Sequence, residues 1–287
     1  MSYSKPITDI IKQRSSWRTY SNQSLEDDTK KKIINILASC KDFKSPFNDI
    51  AGKCRFELIG VPEFAPEERK KLGTYGFIKG AQEFVVGAIE KSDYYKENFG
   101  YIMEAIILAA TDLDLGTCWL GGTFNKSLFS TKINCQKNEI VPAITPIGYT
   151  PEKRRTKEKA IRAFTKADSR FPWSKIFFEN TFSTVLPRET TGRYETLLEM
   201  VRLAPSAGNK QPWRVLKEKE TEKFHFYVKS SQQKVYNTFI NIDVGIAICH
   251  FDLTAKEVGI EGRWEFLSPG INTPEELKYI ISWVGSN

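Results

Sequence analysis

Three short segments carry residue types whose spacing suits a phosphorylated, flat ligand. RSSWRTY (Arg14–Tyr20) sets two guanidiniums and two serine hydroxyls where a helical pattern gives way to a loop. A planar guanidinium gives a phosphate two parallel charged hydrogen bonds, and serine adds a neutral donor. The bland alternative is a pair of surface arginines satisfying the last carbonyls of a helix. In LAPSAGNKQPW (Leu203–Trp213), Pro205 ends a helix, and Ser206, Ala207, Gly208 and Asn209 form a tight polar loop. Its hydroxyl, amide and backbone N–H groups either face a ligand or make an ordinary turn. LGTCWLGGTFN (Leu115–Asn125) leads from a helix end to Gly121 and Gly122. Without side chains, their N–H groups can approach a flat ring closely, unless they only serve a tight bend.

Other chemistries lack material. The two histidines, His225 and His250, are far apart, which leaves neither a zinc site nor a histidine-centred triad. Glu83 and Glu90 show no glycosidase-type pairing. The five cysteines are odd in number, scattered and without a CxxC pair, which points to reduced thiols in the cytoplasm. Cys118 reads as buried filler, Trp119 and Trp213 as packing in the core or against a ring, and His250 as a helix residue at a packed interface.

The elements that must position these segments follow from apolar periodicity. It predicts helices over Ile7–Arg14, Leu25–Ala38 and Tyr94–Leu113, with strands over Cys54–Val61, Glu83–Glu90 and Ile140–Tyr149. Further along it predicts helices over Tyr194–Leu203 and Ile242–Val258, and strands over Arg214–Lys219, Phe224–Lys229, Arg263–Leu267 and Tyr279–Val284. Helices and strands are mixed throughout, so the fold class is α+β.

The halves echo each other. Tyr101–Trp119 resembles Asp243–Trp264, and Glu139–Thr150 resembles Glu276–Asn287. Gly116 matches Gly259 and Gly148 matches Gly285, an offset of about half the chain, as an internal duplication produces. Chance likeness of two amphipathic helices is the alternative. On this reading residues 1–152 form one half, 153–192 a connector and 193–287 the second half. The connector holds Phe171, Trp173, Ile176 and Phe177, so it is expected to pack across the other half.

With 40% hydrophobic and 13% aromatic residues the chain has the material for a large core, which excludes a disordered protein. The N-terminus has no secretory pattern, and the longest apolar stretch, Ala105–Ala110, falls far short of the roughly 20 residues that span a bilayer. No membrane role is expected. Net charge is +7, but basic and acidic residues are interspersed, so no nucleic-acid partner is expected either. The densest charged run, EKRRTKEK (Glu152–Lys159), reads as a solvated connector.

Together the three segments resemble the FMN-dependent nitroreductase family. RSSWR looks like its N-terminal phosphate motif, and APSAGNKQPW like its most recognisable motif. LGTCW followed by PIGYTPEKR is similar to its flavin-ring segment and last core strand, and SRFPWSKIFFEN (Ser169–Asn180) to its late basic residue and apolar run. The order is unusual: APSAGNKQPW comes about 190 residues after RSSWR, as in a branch whose single chain carries both halves of the family's dimer. The resemblance implies that Arg14, Ser15, Ser16 and Arg18 bind the FMN phosphate and ribityl chain, with Arg170 as a further phosphate partner. It implies that Ser206, Ala207 and Asn209 reach the same flavin, that Gly121 and Gly122 offer donors to its ring, and, more weakly, that Gly73–Gly76 contribute polar contacts. Asp168 stands where relatives often have lysine, which puts that part of the phosphate site in doubt.

The implied activity is hydride transfer from NADH or NADPH through FMN to a small-molecule acceptor such as a nitroaromatic or quinone. A non-catalytic flavin store or sensor is the alternative. FMN is expected over FAD because no GxGxxG stands at a strand-to-helix turn. Ser39–Asp49 lacks the polar loop, and Thr181–Tyr194 holds Arg188 and Arg193 without the spaced motif. One flavin per chain, at the junction of the halves, is therefore expected, in a monomer resembling a family dimer.

Overall fold

The computed structural model describes residues 1–72, 76–230 and 238–286. The chain divides into two compact units, Met1–Lys166 and Ala167–Asn287. The first contains α1 (Ile7–Gln13), α2 (Asp27–Ser39), β1 (Cys54–Gly60), α3 (Pro66–Arg69), β2 (Glu83–Glu90) and α4 (Tyr95–Asp112), followed by β3 (Gly116–Thr117), α5 (Lys126–Lys132), β4 (Glu139–Ile140), β5 (Ile144–Gly148) and α6 (Thr156–Phe164). Its antiparallel sheet runs β1-β2-β5-β3, and β4 pairs with the far end of β2. β2 is a near-continuous apolar run because it is buried on both faces. The long helix α4 is buried from Glu97 to Thr111, the signature of a helix inside a core and not on its surface. Beside the sheet, Phe64, Phe84 and Phe124 meet Phe129 edge-on at 5.2–5.9 Å. The single strand expected over Ile140–Tyr149 is instead two, β4 and β5, because Pro142 has no N–H to give to a ladder.

The second unit contains β6 (Phe177–Glu179), β7 (Thr181–Val185), α7 (Glu195–Leu203), β8 (Trp213–Lys217), β9 (Lys223–Lys229), α8 (Ile240–Glu257), β10 (Gly262–Glu265) and β11 (Leu277–Gly285). Its sheet runs β10-β11-β9-β8-β6-β7, antiparallel except for the β6–β8 pair. Phe226, Phe251, Trp264 and Trp283 form its aromatic core, with ring centroids 5.3–5.6 Å apart. Buried His250 joins α8 to α7 through Nδ1 and the Met200 carbonyl, 2.9 Å away.

The two units share a four-strand path. β1-β2-β5-β3 in the first corresponds to β8-β9-β11-β10 in the second, antiparallel at every step. The register corrects one glycine match: Gly148 pairs with Gly116, but Gly285 pairs with Gly262 and not with Gly259. Gly259 instead follows the end of α8 at φ +69°, where a left-handed residue closes the helix. The expected connector, 153–192, is divided between the units. Arg154, Arg155 and Glu158 tie its start to residues 15–19, while β6 joins the second sheet with Phe177 buried. Among the described residues no helix is long and apolar enough to cross a membrane.

Gly116 lets three segments close up. A Cβ there would overlap the Thr150 methyl and come within 3.1 Å of the Trp17 Cβ. Gly116→Ala is expected to destabilise the protein by about 1–3 kcal/mol, as overpacking does. Chemical denaturation checks this, and an unchanged midpoint would show that the approach tolerates a side chain.

Candidate functional site

In the first unit the site grows from the end of α1. Arg14 leaves the helix at φ −54°, ψ 124°, and the chain then runs along the sheet edge. Ser16 bridges to Thr117 and Thr19 to Lys79, and the Trp17 N–H donates to the Thr117 carbonyl at 2.8 Å. The Tyr20 hydroxyl closes the far end on the Trp17 carbonyl at 2.9 Å. This extended backbone turns its carbonyls toward arginines from a distant segment. Arg154 Nη1 donates to the Ser16 carbonyl (2.7 Å), Arg154 Nη2 to Ser15 Oγ (2.9 Å), and Arg162 Nη1 to the Ser16 carbonyl (3.2 Å). Arg155 Nε donates to Thr19 Oγ1 at 2.8 Å.

Five arginines thus meet around residues 14–20 with two wholly buried carboxylates, Glu104 and Glu158. Two guanidinium nitrogens are buried without a hydrogen-bond partner among the described residues, Arg14 Nε and Arg18 Nη1. The Arg14 side chain is 7% exposed, and its Nε lies 3.9 Å from Glu104 Oε1, too far for a hydrogen bond. Burial lowers the Arg14 pKa and Glu104 pulls it back up. Excess positive charge with unfilled donors is the chemistry of an anion site. Cys118 sits in the same cluster, and burial raises its pKa despite the Arg18 charge, so it stays a thiol.

Gly121 and Gly122 follow Leu120, which exchanges backbone hydrogen bonds with Ile144 at 2.9 and 3.0 Å. Among the described residues no backbone carbonyl accepts from the Gly121 or Gly122 N–H. A cleft of about 360 Å³ opens beside Ser15 and Trp17, lined also by Gly116, Thr150 and Arg154, and does not reach Gly121 or Gly122. A larger cleft of about 590 Å³ is lined mainly by residues 40–55, with Glu90, Asn98, Ile102 and Glu139, and touches none of the residues read from the sequence as binding a flavin.

In the second unit the loop after α7 is as tight as its composition suggests. Gly208 (φ 57°) and Asn209 (φ 55°) are both left-handed, the conformation glycine and asparagine tolerate best. Ser206 Oγ accepts from the Gln211 N–H at 2.8 Å, and the Ala207 N–H donates to Asp243 Oδ1 at 3.0 Å. The Ala207 N–H, read from the sequence as open to a ligand, is therefore already engaged by α8. Asn209 Nδ2 donates to the Ser169 carbonyl at 3.0 Å, and Arg170 Nη1 lies 3.5 Å from Asn209 Oδ1. Arg170 also donates to the Leu203 carbonyl from Nε and Nη2, and to the Ala167 and Ser169 carbonyls from Nη1. Asp168 is exposed. Trp213 is wholly buried, and its Nε1 has no hydrogen-bond partner among the described residues.

Thus Arg14, Ser15, Ser16, Arg18, Gly121 and Gly122 belong to the first unit, and Arg170, Ser206, Ala207 and Asn209 gather in the second. Gly73–Tyr75 lie outside the described residues. Arg154, Arg155, Glu158 and Arg162 were not singled out from the sequence. Their signal was partial: Glu158 and Arg162, four residues apart, share one face of α6, while Arg154 precedes that helix.

A family model described as "Putative TM nitroreductase" matches residues 6–255. No curated protein matches the chain. Among solved structures, one likewise described as a nitroreductase, from Thermotoga maritima MSB8, shares the fold. Its TM-score is 0.62 at 19% identity, over 99% of this chain and 95% of that one. A nitroreductase family protein from Clostridium novyi NT scores 0.41 at 20% identity, over 52% and 87%. An FMN-dependent nitroreductase from Clostridium difficile R20291 scores 0.38 at 19% identity, over 51% and 88%.

The Asp243 carboxyl generates a pH dependence. Burial pushes its pKa from the ordinary 3.8 up to about 8, against the pull of the Ala207 N–H. The unfolded chain releases this proton near 3.8 and the folded one holds it to about 8, so this contribution to stability is full at low pH and lost as pH rises through that window. Asp243→Asn is expected to gain on wild type by up to about 1.4 kcal/mol per pH unit. Denaturation at pH 5, 6, 7 and 8 checks this, and parallel curves would show that the carboxyl is ionised in the fold.

Proposed function

The chain belongs to the TM nitroreductase family, and from that membership and its arginine cluster we propose that it is an FMN-dependent oxidoreductase. The donor is NADH or NADPH, and the acceptor a small molecule such as a nitroaromatic or quinone. One observation carries this reading: among the described residues two buried guanidinium nitrogens, Arg14 Nε and Arg18 Nη1, have no acceptor, in a cluster richer in arginine than in carboxylate. A phosphate monoester, with charge near −2 and three acceptor oxygens, matches that deficit.

When bound, FMN supplies the hydride-transfer chemistry, so no protein nucleophile is needed. The protein's task is to bind and orient. Arg14 and Arg18 take the phosphate, with the Ser15 and Ser16 hydroxyls beside them. The backbone N–H groups of Gly121 and Gly122 serve the ring. Arg170, Ser206, Ala207 and Asn209 are assigned to flavin binding by the second unit on the family likeness. Of these, Ser206 keeps its hydroxyl proton to donate, since its oxygen already accepts from Gln211.

The shared strand path supports a further part of the reading: the chain is internally duplicated, works as a monomer and holds one flavin. Its five cysteines form no disulfide among the described residues, which suits a cytoplasmic setting.

The absorbance spectrum is the first test. A yellow protein that bleaches with NAD(P)H and recovers with an acceptor supports the enzyme; yellow without bleaching indicates a store or sensor; colourless protein that takes up no FMN overturns the reading. Flavin content against protein, with mass by light scattering, is expected to give one flavin per monomer. Arg18→Ala is expected to weaken FMN binding by about 1.5–3 kcal/mol, the worth of charged hydrogen bonds, with little change in unfolding temperature. Titration of both proteins with FMN decides it, and equal affinities remove Arg18 from the site.

A further inference from the structure

We propose that Glu158 is a positioning residue: through Arg154 and Thr19 it fixes residues 15–19 in the conformation that receives a phosphate. This rests on the reading of Arg14–Arg18 as a phosphate site. Glu158 is wholly buried. Its Oε2 accepts from Thr19 Oγ1 at 2.7 Å, and its Oε1 is paired closely with Arg154 Nη1. Arg154 passes that constraint on, because the same guanidinium donates to the Ser16 carbonyl (2.7 Å) and to Ser15 Oγ (2.9 Å) and lies 3.6 Å above the Trp17 ring. On the other side Thr19 Oγ1 accepts from Arg155 Nε (2.8 Å), and Arg155 Nη2 reaches the Arg18 carbonyl (3.3 Å). Each residue from Ser15 to Thr19 is therefore held by a side chain that Glu158 anchors directly or at one remove.

A carboxylate is an unexpected neighbour for a phosphate. Its charge opposes the ligand, so on electrostatics alone the site would bind better without it. Its worth is geometric. A desolvated guanidinium that must serve a carbonyl, a hydroxyl and an indole face at once needs a fixed counter-charge to set its plane. Charge and positioning thus predict opposite signs when Glu158 is neutralised.

The test is Glu158→Gln in the full chain, titrated with FMN and with riboflavin, which lacks the phosphate. Positioning predicts that the FMN Kd rises about tenfold while the riboflavin Kd stays unchanged. It also predicts faster amide hydrogen exchange at residues 15–20 of the flavin-free variant. Unchanged or tighter FMN binding overturns the proposal, as does an equal loss for both ligands or unaltered exchange at residues 15–20. A wild type that prefers FMN no more than riboflavin overturns the phosphate reading itself, a result separate from the behaviour of the variant. Should Glu158→Gln fail to fold, Thr19→Val removes one of the two links with little change in volume. It is expected to raise the FMN Kd alone, by about threefold.

Discussion

A guanidinium withdrawn from water must be given acceptors, and this requirement organises the first unit around residues 14–20. Backbone carbonyls supply most of them, which is why the chain after α1 lies extended along a sheet edge: a helix would have spent those carbonyls on itself. Two buried carboxylates and the face of Trp17 supply the remainder, and what stays unfilled defines the site. The second unit meets the same requirement with backbone carbonyls at two positions. Arg170 donates to the carbonyls of Ala167, Ser169 and Leu203, and Arg214 to those of Gln211 and Trp213. Burial lowers the Arg214 pKa to about 10, still well above neutrality, so the guanidinium remains charged.

Much of this was legible in the residues. The long helices, the paired strands and the α+β class follow from periodicity that tertiary packing did not override, and Gly208 and Asn209 adopt the left-handed backbone that their types permit. In the run Glu152–Lys159, where most residues are exposed as expected, Arg154, Arg155 and Glu158 were misread because exposure was inferred from charge. Whether Arg154 and Glu158 face water depends on Ser15, Ser16 and Thr19, about 140 residues away, and no local pattern announces that pairing. Strands as short as β3 and β4 leave no periodic trace, and the match of Gly116 to Gly259 failed because a helix-closing glycine and a close-packed strand glycine look alike in sequence.

The shared four-strand path shows where the two units differ as well as where they agree. In the first, β4 extends the pairing of β2. In the second, β6 adds in parallel at β8 and carries β7 outward. The polar interior differs too. His225, wholly buried on β9, is satisfied by Ser282 Oγ at 2.7 Å and Glu218 Oε1 at 3.0 Å, and burial lowers its pKa. The sheet thereby accommodates an imidazole without hosting a charge.

The Arg154–Ser15 hydrogen bond spans 139 positions of the chain, and this separation sets a timetable. A ribosome adding roughly 5–20 residues per second places Arg154 about 7–28 s after Ser15, and until then the N-terminal loop has no counterpart to close on. Within the first unit, Ser15–Thr19 therefore wait for α6, the last element of that unit, before their side-chain partners exist. Closure of this segment thus marks a first unit translated through α6, and any product that stops short of Glu158 lacks the buried carboxylate that Thr19 and Arg154 meet.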